Sequence, residues 1–182
     1  MLIVLTGKTA SGKDTIIAKI LTKYPNFKKI LTTTSRAIRE DERNGIDYNF
    51  ISRKDFEEKI NRGEFLEYVE YGGNFYGTEK SQINPDQNLI WKIDPSMAGK
   101  AKQIFPECII IYITVDDNTV STRLKERGLS QSEITARMQD DRQFFNSYSS
   151  KYDHIIENVL GKLEVTVNKV FQIIEDYQKN LK

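Results

Sequence analysis

The chain opens Met1-Leu-Ile-Val-Leu5 and runs at once into Thr6-Gly-Lys-Thr-Ala-Ser-Gly-Lys13. A continuous apolar run followed by GxxxxGK, with Gly7, Gly12 and Lys13 in register, leaves few folds open. A buried strand must stop, and the backbone after it must curl so that several N–H groups, including those around Ser11, converge on one anion. Lys13 then reaches toward the β- and γ-phosphates. An amphipathic helix follows, from Thr15 to about Tyr24, and its N-terminal dipole favours the same negative charge. One position breaks the pattern: Asp14 stands where a Ser or Thr hydroxyl is expected to reach Mg²⁺.

Bulk properties narrow the partners. A length of 182 residues suits one globular domain with a sizeable core. With 27 Lys and Arg against 26 Asp and Glu, the net charge of +1 gives no global field for nucleic acid or an anionic membrane, so anion binding has to be local. The single Cys108 sits in an apolar run and reads as core, and the single His154 reads as a strand residue without a catalytic role. No Cys/His metal site can be built from one of each. Residues 2–5 are too few for a membrane span or a secretion signal, so a cytoplasmic protein is expected.

Residues 2–5, 28–31, 88–93, 108–115 and 154–156 read as strands, several with almost no polar alternation, which suits a parallel sheet covered on both faces. Helices lie between them. Asp94-Pro95 starts one toward Phe105; Asp116 or Asp117 caps the next, which ends at Gly128; Ser130-Gln-Ser-Glu133 is a capping box opening a long helix through Phe145; and residues 163–177 repeat apolar positions at helical spacing. The pattern predicts a doubly wound α/β fold, with core segments 1–31, 86–124 and 150–182. Residues 32–85 break the rhythm and read as an inserted α+β region: an Arg-rich stretch, a helix from Ser52 to about Arg62, and a hairpin of 64–71 and 74–78 joined through Gly72-Gly73.

Within the insertion, Arg36 and Arg39 lie two residues apart, ahead of Tyr48. Two guanidinium forks near a tyrosine hydroxyl can hold a phosphate dianion. The interleaved Glu40, Asp41, Glu42 and Arg43 also permit a plain solvated surface, which composition alone favours. The longer pattern adds information. Thr32-Thr-Thr-Ser-Arg36-x-x-Arg39-x-x-Glu42-x-Asn-Gly45-x-Asp-Tyr48-x-Phe50, with Glu64-Phe-Leu-Glu67 and Gly73-Asn-Phe-Tyr76-Gly77-Thr78, closely resembles the guanylate kinases over essentially the whole chain.

That resemblance implies a P-loop kinase that uses ATP and Mg²⁺ to convert GMP, or dGMP, to the diphosphate. It implies that Arg36, Arg39, Tyr48 and Tyr76 hold the GMP phosphate and that Thr32, Glu67, Thr78 and Asp94 address guanine. It also implies that a short helical lid over 125–149 closes on the phosphates and that Arg123, Arg127 and Arg137 clamp the transferring phosphoryl group together with Lys13 and Arg39, while Gly7, Ser11, Gly12, Asp14, Thr15 and Asn158 serve ATP. Physical chemistry supports the base assignment, because guanine presents adjacent N1–H and N2–H₂ donors that one carboxylate accepts together. Two positions depart from the family. Asp14 replaces Ser, and Lys92 replaces the first acid of an Asp-x-Asp pair of which Asp94 remains; a charge exchange, with Asp14 as a metal ligand and Lys92 offsetting it, accommodates both. The rivals are a binding module without catalysis and a kinase of another nucleotide or a sugar phosphate. Oligomeric state is not encoded legibly.

Overall fold

Ile3, Val4 and Leu5 are all fully buried, because strand β1 (Leu2–Gly7) has a parallel neighbour on each side. The computed structural model describes residues 1–40, 42–71 and 73–180. Asp41 of the Arg-rich stretch and Gly72 of the expected hairpin turn lie outside the described residues. The later strands are β2 (Phe27–Ile30), β3 (Thr33–Thr34), β4 (Asn49–Phe50), β5 (Phe65–Tyr71), β6 (Asn74–Glu79), β7 (Asn88–Lys92), β8 (Ile109–Thr114) and β9 (His154–Glu157). The helices are α1 (Lys13–Lys23), α2 (Arg53–Asn61), α3 (Pro95–Ile104), α4 (Asp117–Glu126), α5 (Gln131–Tyr148) and α6 (Leu163–Asn180).

The main sheet is parallel throughout, in the order β2-β7-β1-β8-β9. Alternate residues of each central strand feed opposite layers. Ile3, Leu5, Ile109, Ile111 and Ile113 pack with Ile16, Ile17 and Ile20 of α1 and with Val167, Val170 and Ile174 of α6. Val4, Trp91 and Ile110 face the other way, onto Met97, Ala98 and Ala101 of α3. Burial on both faces is what the unbroken apolar runs require. The chain leaves β1 toward β2 on one side and reaches β8 on the other, so the carboxyl ends of β1, β7 and β8 flank a crevice of the kind in which such sheets bind ligands.

The inserted region has its own sheet, ordered β4-β3-β6-β5, in which β5 and β6 form the antiparallel hairpin. Ser52 caps α2 by accepting from the Asp55 N–H, and the helix lies on the hairpin through a stack of rings. Phe56 is 4.2 Å from Phe65 and 5.2 Å from Phe75, centroid to centroid. The aromatic stretch after Gly45 adds a short strand: Asn49 and Phe50 pair parallel to Thr33 and Thr34, and Tyr48 makes an isolated bridge to Asn44. Helix α1 starts two residues before Thr15, because Gly12, at φ 88°, takes the left-handed turn that aims the chain into it. The capping box at Ser130 forms, and α5 continues to Tyr148, packed on α3 and α4.

Replacing Phe56, which is completely buried, by Ala removes the centre of the insertion's ring stack and should lower stability by about 3–5 kcal/mol. Urea unfolding followed by circular dichroism measures it, and a loss below about 1 kcal/mol excludes this cluster as the core of the insertion.

Candidate active site

At the end of β1 the backbone passes so close to β8 that a Cβ on Gly7 would lie 2.0 Å from the Ile113 carbonyl oxygen. Gly7 also has φ 142°, so no side chain fits there. The loop that follows is latched from outside at every step. Lys8 Nζ donates to Asp117 Oδ1 at 2.7 Å and to the Val115 carbonyl at 3.0 Å. The Thr9 N–H donates to Asp141 Oδ2 at 2.8 Å, and Arg123 Nη1 donates to the Ala10 carbonyl at 2.7 Å. Asn158 Nδ2 donates to the Ser11 carbonyl at 2.9 Å, while its Oδ1 accepts from Thr166. Inside the loop Lys13 Nζ donates to the carbonyls of Gly7 (2.9 Å) and Lys8 (2.7 Å) and to Ser11 Oγ (3.3 Å). Burial, reinforced by the neighbouring Lys92 charge, lowers the Lys13 pKa to about 8 despite the opposing pull of Asp14 and Asp141.

Beside the loop lies a cavity of about 290 Å³ lined by Gly12, Thr15, Arg123, Arg127, Asn158 and Val159, among others. Arg127 follows directly on α4, and its charge reaches Lys13. Arg137 stands on α5, where Glu133 feels its charge from one turn earlier. The amide of Asn158 is committed to protein partners at both ends, so in this arrangement it buttresses the loop instead of offering the amide to a base. Arg142 has Asp141 beside it on its own helix but crosses to Asp117 at 2.6 Å. Asp141 is thereby left to the loop.

The insertion contributes two further polar groupings. Arg36 makes a two-pronged contact to Glu42 at 2.7 and 2.9 Å and lies 5.5 Å from the ring centres of Tyr48 and Phe50. Burial opposes the Arg36 charge, but Glu42 outweighs it and raises the pKa. Tyr48 and Tyr76 meet edge to face at 6.3 Å. Arg39 is exposed; its backbone N–H donates to Glu42. Of the four residues expected around one phosphate, Arg36, Tyr48 and Tyr76 are together, and Arg39 stays on the surface loop.

The second grouping is a relay. Trp91 Nε1 donates to Thr78 Oγ1 at 2.8 Å, and that hydroxyl donates to Glu67 Oε1 at 2.6 Å. Glu67 and Thr78 are direct cross-strand partners. Burial raises the Glu67 pKa, helped by the charge of Asp94 and opposed by the Thr78 bond. Asp94 also accepts from the Met97 N–H at the start of α3. The Thr32 carbonyl accepts from Asn49 and ties β3 to β4. Glu67 borders a cavity of about 290 Å³ between β5 and α3, with Leu66, Tyr68, Met97, Lys100 and Ile104.

Between these groupings lies Lys92, paired with Asp14 at 2.7 Å and 3.5 Å from the Tyr48 hydroxyl. The charge exchange expected from sequence is therefore a direct ion pair. It does not fit a protein-held magnesium site, because a cation at Asp14 would meet an ammonium already on one of its oxygens. Among the described residues no group of three acid, His or Cys side chains is placed to hold a metal.

The family model described as Guanylate kinase matches residues 1–177. The chain belongs to the guanylate kinase family. It is 33% identical over 180 residues to the guanylate kinase of Lactococcus lactis, covering 96% of this chain and 87% of that protein. Against the guanylate kinase of Fusobacterium nucleatum it is 33% identical over 181 residues, covering 96% of each. The fold matches the crystal structure of guanylate kinase from Anaplasma phagocytophilum with a TM-score of 0.75 at 24% identity, covering 98% of this chain and 85% of that one.

In this guanylate kinase family member several site residues escape a reading of motifs. In sequence Asp141 looks like an ordinary helix-surface acid and Asp117 like a candidate cap, and only the packing of α5 and α4 brings them to the loop. Trp91 reads as core, and nothing in its sequence neighbourhood announces the bond to Thr78. Lys29, whose pKa is lowered by burial and by Lys92, donates to the Ile46 and Asp47 carbonyls and so supports the turn before Tyr48.

A triphosphate beside Lys13 favours its charged form, so the depressed pKa must rise on binding. At pH 8.5 the guanylate kinase family member should take up protons with magnesium-bound ATP, seen as a binding enthalpy that varies with the ionisation enthalpy of the buffer. Lys13→Met should abolish the uptake, and an equal uptake in that variant assigns the proton elsewhere. The same shift makes stability rise with pH between about 8 and 10.5, where the unfolded chain keeps the Lys13 proton and the folded one has lost it.

Proposed function

We propose that this protein is a guanylate kinase that transfers the γ-phosphoryl group of ATP to the phosphate of GMP or dGMP, giving ADP and the guanosine diphosphate. The observation that carries the reading is the Trp91–Thr78–Glu67 relay. It fixes a half-buried carboxylate with one oxygen engaged and the carboxylate still able to accept from a base with two adjacent donors, which guanine has and adenine lacks at that edge. Misplacing another base leaves this half-buried acceptor unsatisfied once the base covers it, and that penalty is the source of selectivity.

In this reading the loop from Gly7 to Thr15 cradles the ATP phosphates, and Lys13 exchanges its carbonyl partners for them. The cavity bordered by Arg123 and Arg127 takes the adenosine end. Arg36, steadied by Glu42 and laid against Tyr48 and Phe50, meets the GMP phosphate with Tyr76. Arg39 and Arg137 join when the insertion and the helices after residue 125 close over the substrates, excluding water from the reaction. The attacking phosphate oxygen is already ionised, so no general base is required, and the protein's task is alignment and charge stabilisation. Magnesium arrives with ATP as part of the substrate, carried by phosphate oxygens and water, a mode natural to a small hard cation. A cytoplasmic location completes the reading.

Coupled detection of ADP with GMP, dGMP, AMP, UMP and a sugar phosphate tests it. Turnover should be confined to the guanine nucleotides; turnover with only another acceptor, or with none, overturns it. Glu67→Gln should lower kcat/KM for GMP by about 10²-fold with little change for ATP. Because Glu67 must be ionised to accept both donors and its pKa is raised, GMP affinity should fall on acidification earlier than an ordinary carboxylate would allow. Trp91 emission offers a direct readout of GMP binding through Thr78.

A further inference from the structure

We propose that the Lys92 ammonium, tethered by Asp14, is a fixed cation between the two phosphate sites that contacts the phosphoryl group during transfer. The inference rests on the guanylate kinase reading and adds a residue to it. Three observations carry it. The register Leu5↔Lys92 sets Lys92 beside the end of β1, next to the phosphate loop. Its Nζ is 2.7 Å from Asp14, the residue after Lys13, and 3.5 Å from the hydroxyl of Tyr48, on the acceptor side. The two side chains also differ in exposure: Lys92 is 15% exposed and Asp14 73%. The acid is an outer tether in water, and the cation is the enclosed partner.

In-line transfer brings two polyanions together. An oxygen of the GMP phosphate forms a bond to the γ-phosphorus as the bond from that phosphorus to the β,γ-bridging oxygen breaks, and the electron pair leaves on the β-phosphate of ADP. No proton moves from Lys92. Positive charge between the two anions lowers their repulsion and meets the charge spread over the non-bridging oxygens. Burial works against the Lys92 charge, but Tyr48 and Asp14 outweigh it, so the side chain stays protonated. Asp14 thus acts as a positioning residue for Lys92 and not as a metal ligand. The contact to Asp14 and the ring of Tyr48, 5.0 Å from Nζ, fix the ammonium before either nucleotide arrives.

The test compares wild type with Lys92→Met, Lys92→Arg and Asp14→Asn. The first readout is affinity for adenosine and guanosine joined 5′ to 5′ through five phosphates, which spans both sites, measured by calorimetry beside ADP and GMP alone. Lys92→Met should weaken the linked compound and lower kcat by about 10²-fold each, with losses below about threefold for the single nucleotides. Lys92→Arg should recover part of both. Asp14→Asn should lower kcat about tenfold and leave the magnesium concentration for half-maximal rate unchanged. Thermal unfolding confirms that each variant is folded.

Unchanged affinity and kcat in Lys92→Met overturn the proposal, and so does an equal loss for GMP alone, which would make Lys92 an acceptor-site residue only. A raised magnesium requirement in Asp14→Asn with Lys92→Met unaffected returns Asp14 to the metal. Absence of GMP phosphorylation by wild type overturns the guanylate kinase reading instead, and the binding measurements still decide the role of Lys92. Failure of wild type to bind the linked compound while it still phosphorylates GMP overturns the placement of Lys92 between the two sites and leaves the guanylate kinase reading standing.

Discussion

A strand hydrogen-bonded on both sides cannot slide without breaking two ladders, and β1 is held in this way between β7 and β8. Its register with β8 continues to Gly7↔Ile113, the point where the phosphate loop departs. Its register with β7 fixes Lys92 across from Leu5. The loop, Lys92 and the end of β8 are therefore positioned by one set of backbone bonds. Any side chain at Gly7 would collide with the Ile113 carbonyl, so the same contact that locks the register also dictates the first glycine of the motif.

Around that fixed line the molecule gathers like charges. Lys13, Lys29 and Lys92 all act electrostatically on Asp14, and Lys13 and Lys29 are both driven toward neutrality by burial and by Lys92. Concentrating ammonium groups opposes folding and favours a polyanion, which is the usual exchange of stability for preorganisation at a site. Acids counter it from the rim. Asp117 and Asp141 bind the loop from outside and Asp14 binds Lys92, leaving the concave side of the loop to its N–H groups and Lys13.

The parallel sheet was legible in sequence because strands covered on both faces show as continuous apolar runs, and the capped helices were legible because Ser52, Asp116 and Ser130 form the bonds their spacing implies. The phosphate loop was legible for the same local reason. The insertion was harder. Its short parallel pair, Thr33–Thr34 with Asn49–Phe50, joins segments separated by a surface loop and carries no periodic signal. Contacts between distant helices were invisible as well: Arg142 has an acid beside it at Asp141, yet it reaches a different helix. The Asp14 and Lys92 substitutions, 78 residues apart, could be matched only because each violated a known pattern in the opposite sense.

The bond from Trp91 to Thr78 has a mechanical meaning. Trp91 belongs to the rigid sheet, and Thr78 belongs to the hairpin of the insertion, so the two bodies are pinned at this buried point. Glu67 is one further hydrogen bond away from that point. The proposed base reader is therefore anchored, through one hydroxyl, to the same sheet that carries Lys92.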